Sequence, residues 1–506
     1  MAAPAIVFVG FMGAGKSTAA REAATVLQAP LRDSDRLFEE QAGTSIESFF
    51  DTHGEPAFRE REEALVLELL ERADGDVIAL GGGALGSARV REALRAHVVV
   101  HVEVPLELAW QRAHGRGRPL ARDRDAFAAR YAERAGVYEQ VADATLPAAD
   151  RGLARRAAPA LQGLATAPDG TKLLWATTAS GDYPVLVGRR LLGRVSWPAS
   201  GRRFVISDAN VGPMYAGVVG EVSGLVEIGA GEEHKTLATA ERVWQALVEQ
   251  GATRADHVVA LGGGVVGDLA GFCASAYQRG IPVVQVPTTV VAQVDSAYGG
   301  KTGVDLPRAK NYVGAYHQPA GVVVDVATLA TLPPEEHAAG YAEVVKTALI
   351  AGGALWEHVG SGAPVDDATI LGCARTKLAV VREDERDGGR RQVLNLGHTV
   401  GHAIETVTEY QRFRHGEAVG LGLLAALRLS GQDDLREHVR GLLEAVGLPT
   451  AAPGLDPAAV VEATSRDKKR TGESTPYVLV HAPGDVRHGA TLAPDAVLAA
   501  VTELTA

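Results

Sequence analysis

Short apolar runs alternate with longer stretches of helical period through the first third of the chain. Ile6–Val9, Val77–Leu80 and Val98–Val104 read as buried strands, and the segment from Lys16 to Gln28 reads as a helix. Alternation of this kind predicts a parallel sheet covered on both faces. Around Asp150-Arg151-Gly152 the pattern dissolves into Ala-, Arg- and Gly-rich sequence, and Ala165–Gly170 supplies turn residues without apolar period, so a linker is expected there. A second α/β stretch starts near Lys172, with strand candidates at Arg203–Asp208, Val258–Leu261, Val283–Val286 and Val322–Val326. After Thr331-Leu332-Pro333-Pro334 strands nearly vanish, and Glu335–Leu349, Thr369–Val381, Gly397–Thr408 and Gly416–Leu429 all carry helical spacing. The expected organisation is an α/β domain over 1–166, a second α/β domain over 172–332 and a mostly α-helical domain over 333–506.

Composition narrows the classes. A chain of 506 residues suits several domains, and 46% hydrophobic with 22% charged residues is an ordinary globular mixture. The net charge of −12 argues against general affinity for nucleic acid or anionic membrane, while leaving acidic small substrates to local Arg clusters. Two cysteines, Cys273 and Cys373, exclude a disulfide framework and a thiolate metal cage. No basic flank marks a signal peptide, and the apolar run from Val419 to Leu427 ends at Arg428, too short to span a membrane. A cytoplasmic setting is expected.

The segment Gly10-Phe11-Met12-Gly13-Ala14-Gly15-Lys16-Ser17-Thr18 fits G-x-x-x-x-G-K-[ST] between a predicted strand and a predicted helix. In that context backbone N–H groups from Gly13 to Thr18 close around phosphates, Lys16 reaches the β/γ-phosphates of ATP, and Ser17 can ligate Mg²⁺. Asp33-Ser34-Asp35 follows the next predicted strand, where one of the Asp33 and Asp35 carboxylates can hold magnesium water and the other an acceptor hydroxyl. Arg59, Gly81-Gly82-Gly83, Arg118 in Gly117-Arg118-Pro119-Leu120, and Arg134 come next. Singly, each of these arginines reads as a solvated surface residue. In this order they resemble shikimate kinase, over about residues 4–165. The resemblance implies that Asp35, Arg59, Gly82 and Arg134 hold shikimate, that Arg118 steadies the transferring phosphoryl group, and that Arg112 packs near adenine. The family usually has a second Leu after Arg-Pro-Leu; Ala121 stands there.

The second half carries different chemistry. Glu343, the His398–His402 segment and His415 offer one Glu and two His from separate segments, a match to a catalytic zinc shell with three protein ligands and an open fourth position. Upstream, Gly262-Gly263-Gly264-Val265-Val266-Gly267-Asp268 offers a turn where a dinucleotide can dock. Metal and dinucleotide together suggest alcohol oxidation. His402 lies one helical turn after His398 and should share its face, as a further candidate ligand.

From Lys172 onward the chain resembles 3-dehydroquinate synthase, through Gly231-Glu232-Glu233-His234-Lys235, the Gly263–Asp268 turn, Pro287-Thr288-Thr289, Asp295–Gly303, Lys310-Asn311, Glu343–Lys346, the His398 segment, His415-Gly416-Glu417 and Asp467-Lys468-Lys469. The resemblance implies Glu343, His398 and His415 as zinc ligands, with His402 handling substrate phosphate or proton traffic. It implies NAD contacts from Asp208, Asn210, Glu232, Lys235, Gly263, Gly264, Val265, Asp268, Thr288, Thr289, Lys301, Lys310 and Thr328. Lys301, Lys346, Lys377, Arg391 and one of Lys468 or Lys469 would bind phosphate, carboxylate and enolate charge, and Asp295 and Asn395 would orient hydroxyls. The implied reaction is redox-neutral: 3-deoxy-arabino-heptulosonate 7-phosphate is oxidised at C5, loses phosphate, recovers its hydride and closes to a carbocycle. A homodimer through this half is also implied. The competing readings are another sugar-phosphate cyclase or a polyol dehydrogenase for the second half, and a non-catalytic nucleotide-binding module for the first.

Overall fold

The computed structural model describes residues 2–115, 119–148, 152–307, 309–464 and 476–506. Packing divides the chain into two units. The first comprises Met1–Trp175 with Pro184–Pro198, and the second Ala176–Tyr183 with Ala199–Ala506.

The first unit is built on strands β1 (Ile6–Val9), β2 (Leu31–Asp33), β3 (Val77–Ala79), β4 (Val98–Glu103) and β5 (Ala144–Pro147), hydrogen-bonded in the order β2-β3-β1-β4-β5 and all parallel. β1 and β3 are buried along their length, which is why they read as unbroken apolar runs; β5 is equally buried, but Ala144-Thr145-Leu146-Pro147 forms no such run. The helix expected from Lys16 runs over Lys16–Leu27.

The first correction falls at the end of this unit. Where periodicity was lost in sequence, Leu153–Leu164 is a helix, burying Leu153, Ala154, Ala157, Ala158 and Leu161. Its inward stripe is mostly alanine, too weak to register as an apolar period, yet small enough to lie close against the Lys16–Leu27 helix. The Ala165–Gly170 turn then leads into β6 (Lys172–Thr178), which lies parallel to β5 through Ala144↔Leu173 and Thr145↔Leu174. That turn therefore lies inside the first unit.

After β7 (Gly181–Gly188), the second unit contains β8 (Arg203–Asp208), β9 (Gly224–Ile228), β10 (His257–Gly262), β11 (Val283–Pro287) and, further on, β14 (Gly321–Asp325), in the parallel order β14-β11-β10-β8-β9. Between β11 and β14 a hairpin, β12 (Lys301–Leu306) with β13 (Ala309–Tyr316), was not foreseen. The helical region follows, with helices at Pro334–Ala351, Asp367–Glu383, His398–Val407 and His415–Leu429, each within two residues of the expected bounds. A hairpin of β15 (Tyr477–Ala482) and β16 (Asp485–Ala490) interrupts it late in the chain. The sheet and the helices from Ala199 onward pack as one unit. Among the described residues no helix is long and apolar enough to cross a membrane.

Candidate active sites

The P-loop follows β1 and ends at Gly15, whose left-handed backbone (φ 95°) opens the Lys16–Leu27 helix without a side-chain cap. The first-turn N–H groups are thus left to an anion. Gly13 (φ 85°) admits no side chain, because a Cβ there would lie 2.5 Å from the Ala109 carbonyl oxygen. Lys16 is buried and its Nζ donates to the Phe11 carbonyl at 3.2 Å, folding the ammonium back over the loop, while Ser17 and Thr18 stay exposed.

The expected acceptor residues converge on Gly81-Gly82-Gly83, just beyond β3. A Cβ on Gly81 would meet Glu62 Oε1 at 2.5 Å and Asp35 Oδ1 at 2.7 Å; one on Gly82 would meet the Met12 nitrogen at 3.2 Å. Arg134 Nη1 donates to the Gly82 carbonyl at 2.9 Å, and the Tyr138 hydroxyl donates to the same oxygen at 2.7 Å. Arg59 faces Gly83, with Nη1 2.5 Å from Glu62 Oε2 and Nη2 3.1 Å from Glu55 Oε1. Asp35, Arg59, Gly82 and Arg134, distant in sequence, are therefore neighbours beyond the C-terminal ends of β2 and β3. Glu62 and Tyr138 were missed. Burial raises the Glu62 carboxyl against the pull of Arg59, and burial pushes the Tyr138 phenol up to about 12. The one available signal was Glu62's position three residues after Arg59 on a helix.

Asp33 departs from its expected role in one respect. Its Oδ1 accepts from the Asp35 and Arg36 nitrogens at 3.1 and 3.3 Å, so it caps the Ser34–Ala42 helix. Arg112 is half-buried on the Leu106–Ala113 helix. Arg118, Lys468 and Lys469 lie outside the described residues.

In the second unit β10 runs into Gly263, which precedes the Gly264–Ala276 helix and again leaves its N-terminus uncapped by a side chain. Gly263 and Gly264 let that turn lie against Thr289 and Ser296, whose side chains a Cβ would meet at 2.9 and 3.1 Å, and Val265 is half-buried beside them. Asp268 is tied to Lys235 Nζ at 3.4 Å, and Lys235 is 2.6 Å from Glu232 Oε1. Burial lifts the Asp268 carboxyl to about 6 even with Lys235 beside it. The Thr288 hydroxyl is buried without a hydrogen-bond partner, and Thr289 Oγ1 accepts from the Ala292 nitrogen. Asp208 accepts from the Asn210 and Val211 nitrogens. Thr328 is engaged internally, donating to the Asp325 carbonyl and accepting from Gln293.

The Glu343 cluster is assembled from three helices. Glu343, fully buried on Pro334–Ala351, has His415 Nε2 at 3.3 Å and His398 Nε2 at 3.5 Å from the same oxygen, Oε1, and Lys346 Nζ at 2.5 Å from Oε2. Neither carboxylate oxygen has a well-directed hydrogen bond. Close packing makes the convergence possible. A Cβ on Gly416 would lie 1.8 Å from the Ala339 carbonyl, and one on Gly422 would lie 1.9 Å from the Gly397 carbonyl. His398 Nδ1 faces the Leu396 carbonyl at 3.1 Å, so that nitrogen carries the proton and Nε2 presents its lone pair to the cluster. Burial holds the His398 pKa down to about 3, keeping the ring a neutral ligand. His415 is the opposite case. Burial would lower it, but the Glu343 and Glu405 carboxylates beside its two ring nitrogens raise it to about 10. The same two carboxylates, converging on one imidazole, favour a cation at this place. The donor set, one carboxylate and two imidazoles, suits zinc or a similar ion. His402 is exposed beside them, its ring centroid 5.1 Å from that of His398.

Asp295 sits in a π-helical turn, Ala292–Ser296, with Lys346 Nζ at 3.7 Å and Lys377 Nζ bonded directly to it. Burial would raise the Asp295 carboxyl, yet Lys346 and Lys377 hold it at about 2. Arg391 is buried, its guanidinium donating to the Glu385 and Gly299 carbonyls. Asn395 is exposed, and Lys301 pairs with Asp387.

A fold with a phosphate-binding loop and a separate fold with a carboxylate–imidazole centre beside a nucleotide-type turn define an enzyme of two catalytic units. Comparison with known proteins assigns both. The shikimate kinase family matches residues 12–162, and the N-terminal and C-terminal regions of 3-dehydroquinate synthase match 225–339 and 340–470. The 3-dehydroquinate synthase of Halorhodospira halophila is 43% identical over 348 residues, 65% of this chain and 98% of that protein. That of Symbiobacterium thermophilum is 41% identical, covering 62% and 96%. Among solved structures, the 2-epi-5-epi-valiolone synthase of Streptomyces hygroscopicus subsp. jinggangensis, with NAD+ and Zn2+ bound, is 26% identical with a TM-score of 0.59, covering 64% of this chain and 96% of that one. A 2-deoxy-scyllo-inosose synthase complexed with carbaglucose-6-phosphate, NAD+ and Co2+ is also 26% identical, with a TM-score of 0.58 over 66% and 99%. The chain belongs to the 3-dehydroquinate synthase family. It joins that activity to shikimate kinase in one polypeptide, as a bifunctional enzyme of the shikimate route.

Proposed function

We propose that the first unit transfers phosphate from ATP to shikimate between the P-loop and the Gly81–Gly83 segment, and that the second uses NAD and a divalent metal to convert the heptulosonate phosphate to 3-dehydroquinate. The observation that carries the second assignment is the pair of imidazole nitrogens meeting one oxygen of the buried Glu343.

In the kinase unit, Lys16 and the open helix N-terminus would bind the ATP phosphates, with Ser17 at Mg²⁺. Arg134 and Arg59 would grip the shikimate carboxylate, and Asp35 would take the hydroxyl proton. Arg59 spends its donors on Glu55 and Glu62 in this structure, so its use at substrate requires exchange of at least one of those partners.

In the synthase unit, Glu343, His398 and His415 would hold the metal, which when bound polarises substrate oxygens while NAD accepts and returns a hydride. Lys346, Lys377 and Arg391 would stabilise negative charge on substrate, and Asp295 keeps the two lysines in position. Lys310, Glu232, Lys235 and Asp268 would line the nucleotide side, and His402, exposed at the cluster's rim, would handle substrate phosphate or proton traffic. Related cyclases bind NAD+ with Co2+ or Zn2+, which supports the cofactor pair. Two free, buried cysteines suit a reducing compartment such as the cytoplasm. A homodimer through the second unit belongs to the same reading, and light scattering of the full chain tests it.

The test is a coupled assay of the intact protein with each substrate separately. Phosphate release from the heptulosonate should vanish on chelation, return with Zn²⁺ and leave no stoichiometric NADH. Phosphorylation of shikimate should survive chelation followed by Mg²⁺. NADH accumulating in step with substrate would identify a dehydrogenase instead.

A further inference from the structure

Beyond the residues gathered around Glu343, a second carboxylate touches the cluster. Glu405, on the His398–Val407 helix, is buried, and its Oε1 lies 3.5 Å from His415 Nδ1. His415 therefore has one carboxylate at each ring nitrogen: Glu343 at Nε2 and Glu405 at Nδ1. On its other side Glu405 Oε1 is 3.6 Å from Lys310 Nζ, and Lys310 is 4.0 Å from Glu232 Oε1. The His415 ring on one side and the Lys310 ammonium on the other thus hold a carboxylate that has almost no access to water.

We infer that Glu405 is a positioning residue for the metal, orienting the His415 ring from behind and anchored by Lys310 to the nucleotide side of the site. The inference rests on the metal centre described above. An imidazole that ligates through Nε2 must keep its proton on Nδ1, and the acceptor at Nδ1 sets both the tautomer and the rotation of the ring. The two histidines meet that need differently. His398 uses the backbone carbonyl of Leu396, which no substitution removes, whereas His415 opens its helix and has only a side chain to serve it. A buried carboxylate at that nitrogen also makes the imidazole a stronger donor.

A rival arrangement uses the same atoms. His402, Glu405 and His415 bring ligand atoms within 4.8 Å of one another and could hold an ion of their own. A neutral imidazole has one lone pair, so His415 cannot serve that ion while ligating beside Glu343. The positioning role keeps both nitrogens satisfied.

The test uses the full chain, stripped with chelator and titrated with Zn²⁺ against a chromophoric competitor. Wild type should bind one Zn²⁺, and His398→Ala should lose it, which checks the centre itself. Glu405→Gln should still bind one Zn²⁺ but 10- to 100-fold more weakly, the usual loss when such an outer partner is removed. Its Co²⁺ form should show shifted visible bands, because the His415 ring has turned. Glu405→Asp, with a shorter reach, should weaken binding in the same direction and by less, and it carries the comparison should Glu405→Gln fold poorly. Wild-type Zn²⁺ affinity in the folded Glu405 variants would overturn the inference. So would two ions in wild type falling to one in Glu405→Gln, since Glu405 would then be a ligand in its own right.

Discussion

The two active sites are built on opposite plans. The phosphate site of the first unit is mostly backbone: a glycine turn, an uncapped helix N-terminus and one lysine folded over it, all within Gly10–Thr18. The proposed metal site of the second unit is entirely side chains, brought together from three helices, with its candidate ligands Glu343 and His415 separated by 72 positions in sequence. A backbone site needs only local conformation, so it survives wherever its turn folds. A side-chain site depends on the distance between helices, which here is set by glycines at the contacts. The first should tolerate loosening of its surroundings, and the second should not.

The largest expected effects come from the two extremes of that contrast. Lys16→Ala should cut shikimate phosphorylation by about a hundredfold or more, because it removes charge from the transferring phosphoryl group, and should leave 3-dehydroquinate formation at wild-type rate. Separate assays of each activity check this. A loss of both would mean the units share a catalytic residue, and the contrast would fail.

Gly416→Ala tests the dependence on helix spacing. A methyl 1.8 Å from the Ala339 carbonyl must push the His415 helix outward. Overpacking of this kind costs roughly 1–3 kcal/mol, and metal should be lost with it while the kinase reaction continues. Thermal unfolding and zinc content measure the two parts.

The acid limit of the synthase site follows from Asp295. Its folded pKa of about 2 lies below the ordinary Asp value near 3.9, so the stabilisation is fully present above pH ~4 and is lost as pH falls toward 2. Asp295→Asn should flatten unfolding stability against pH across that window and lower stability at pH 7, where Lys346 and Lys377 would face each other without their shared carboxylate. Unchanged pH dependence would mean the carboxylate is not coupled to the lysines in solution.

The smaller effects sharpen the first unit. Arg134→Lys should raise the KM for shikimate several-fold more than that for ATP, since an ammonium cannot reproduce the fork that reaches both Gly82 and a carboxylate. Tyr138→Phe removes one hydrogen bond to the same carbonyl and should cost about 1 kcal/mol of stability, with a slight rise in the same KM. If Tyr138→Phe shifts the two KM values equally, Gly82 is not part of the shikimate side.

The division of the chain supplies a related measurement. A fragment ending at Thr166 lacks β6, which pairs with β5. It should phosphorylate shikimate but unfold at a lower temperature than a fragment extended to Trp175.

Much was legible in the sequence because its causes are local. The P-loop spacing, the central strands and the helices at Pro334–Ala351, Asp367–Glu383, His398–Val407 and His415–Leu429 depend on turn chemistry and apolar period, and both are written in consecutive residues. The Leu153–Leu164 helix escaped because its buried stripe is mostly alanine. β6 escaped because a strand after a turn-rich segment does not reveal which sheet it joins. The hairpin of β12 and β13 has only partly buried, Gly-interrupted strands, without clean alternation.

At the sites the same line holds. Lys16, Asp35, Arg134, Glu343, His398 and His415 were identifiable by motif and order. That Arg59 is engaged by Glu55 and Glu62, that Asp33 caps a helix, that Arg391 rests on backbone carbonyls and that Glu405 stands behind His415 were not. Each of these depends on which donor lies within about 3 Å of which acceptor, and that distance is set by packing. The sequence by itself determined the chemistry the chain carries: a phosphate loop, a nucleotide turn and three ligands able to hold a metal. Only the tertiary structure decided which charges neutralise one another, because electrostatic and hydrogen-bond energies fall steeply with separations that no spacing along the chain records.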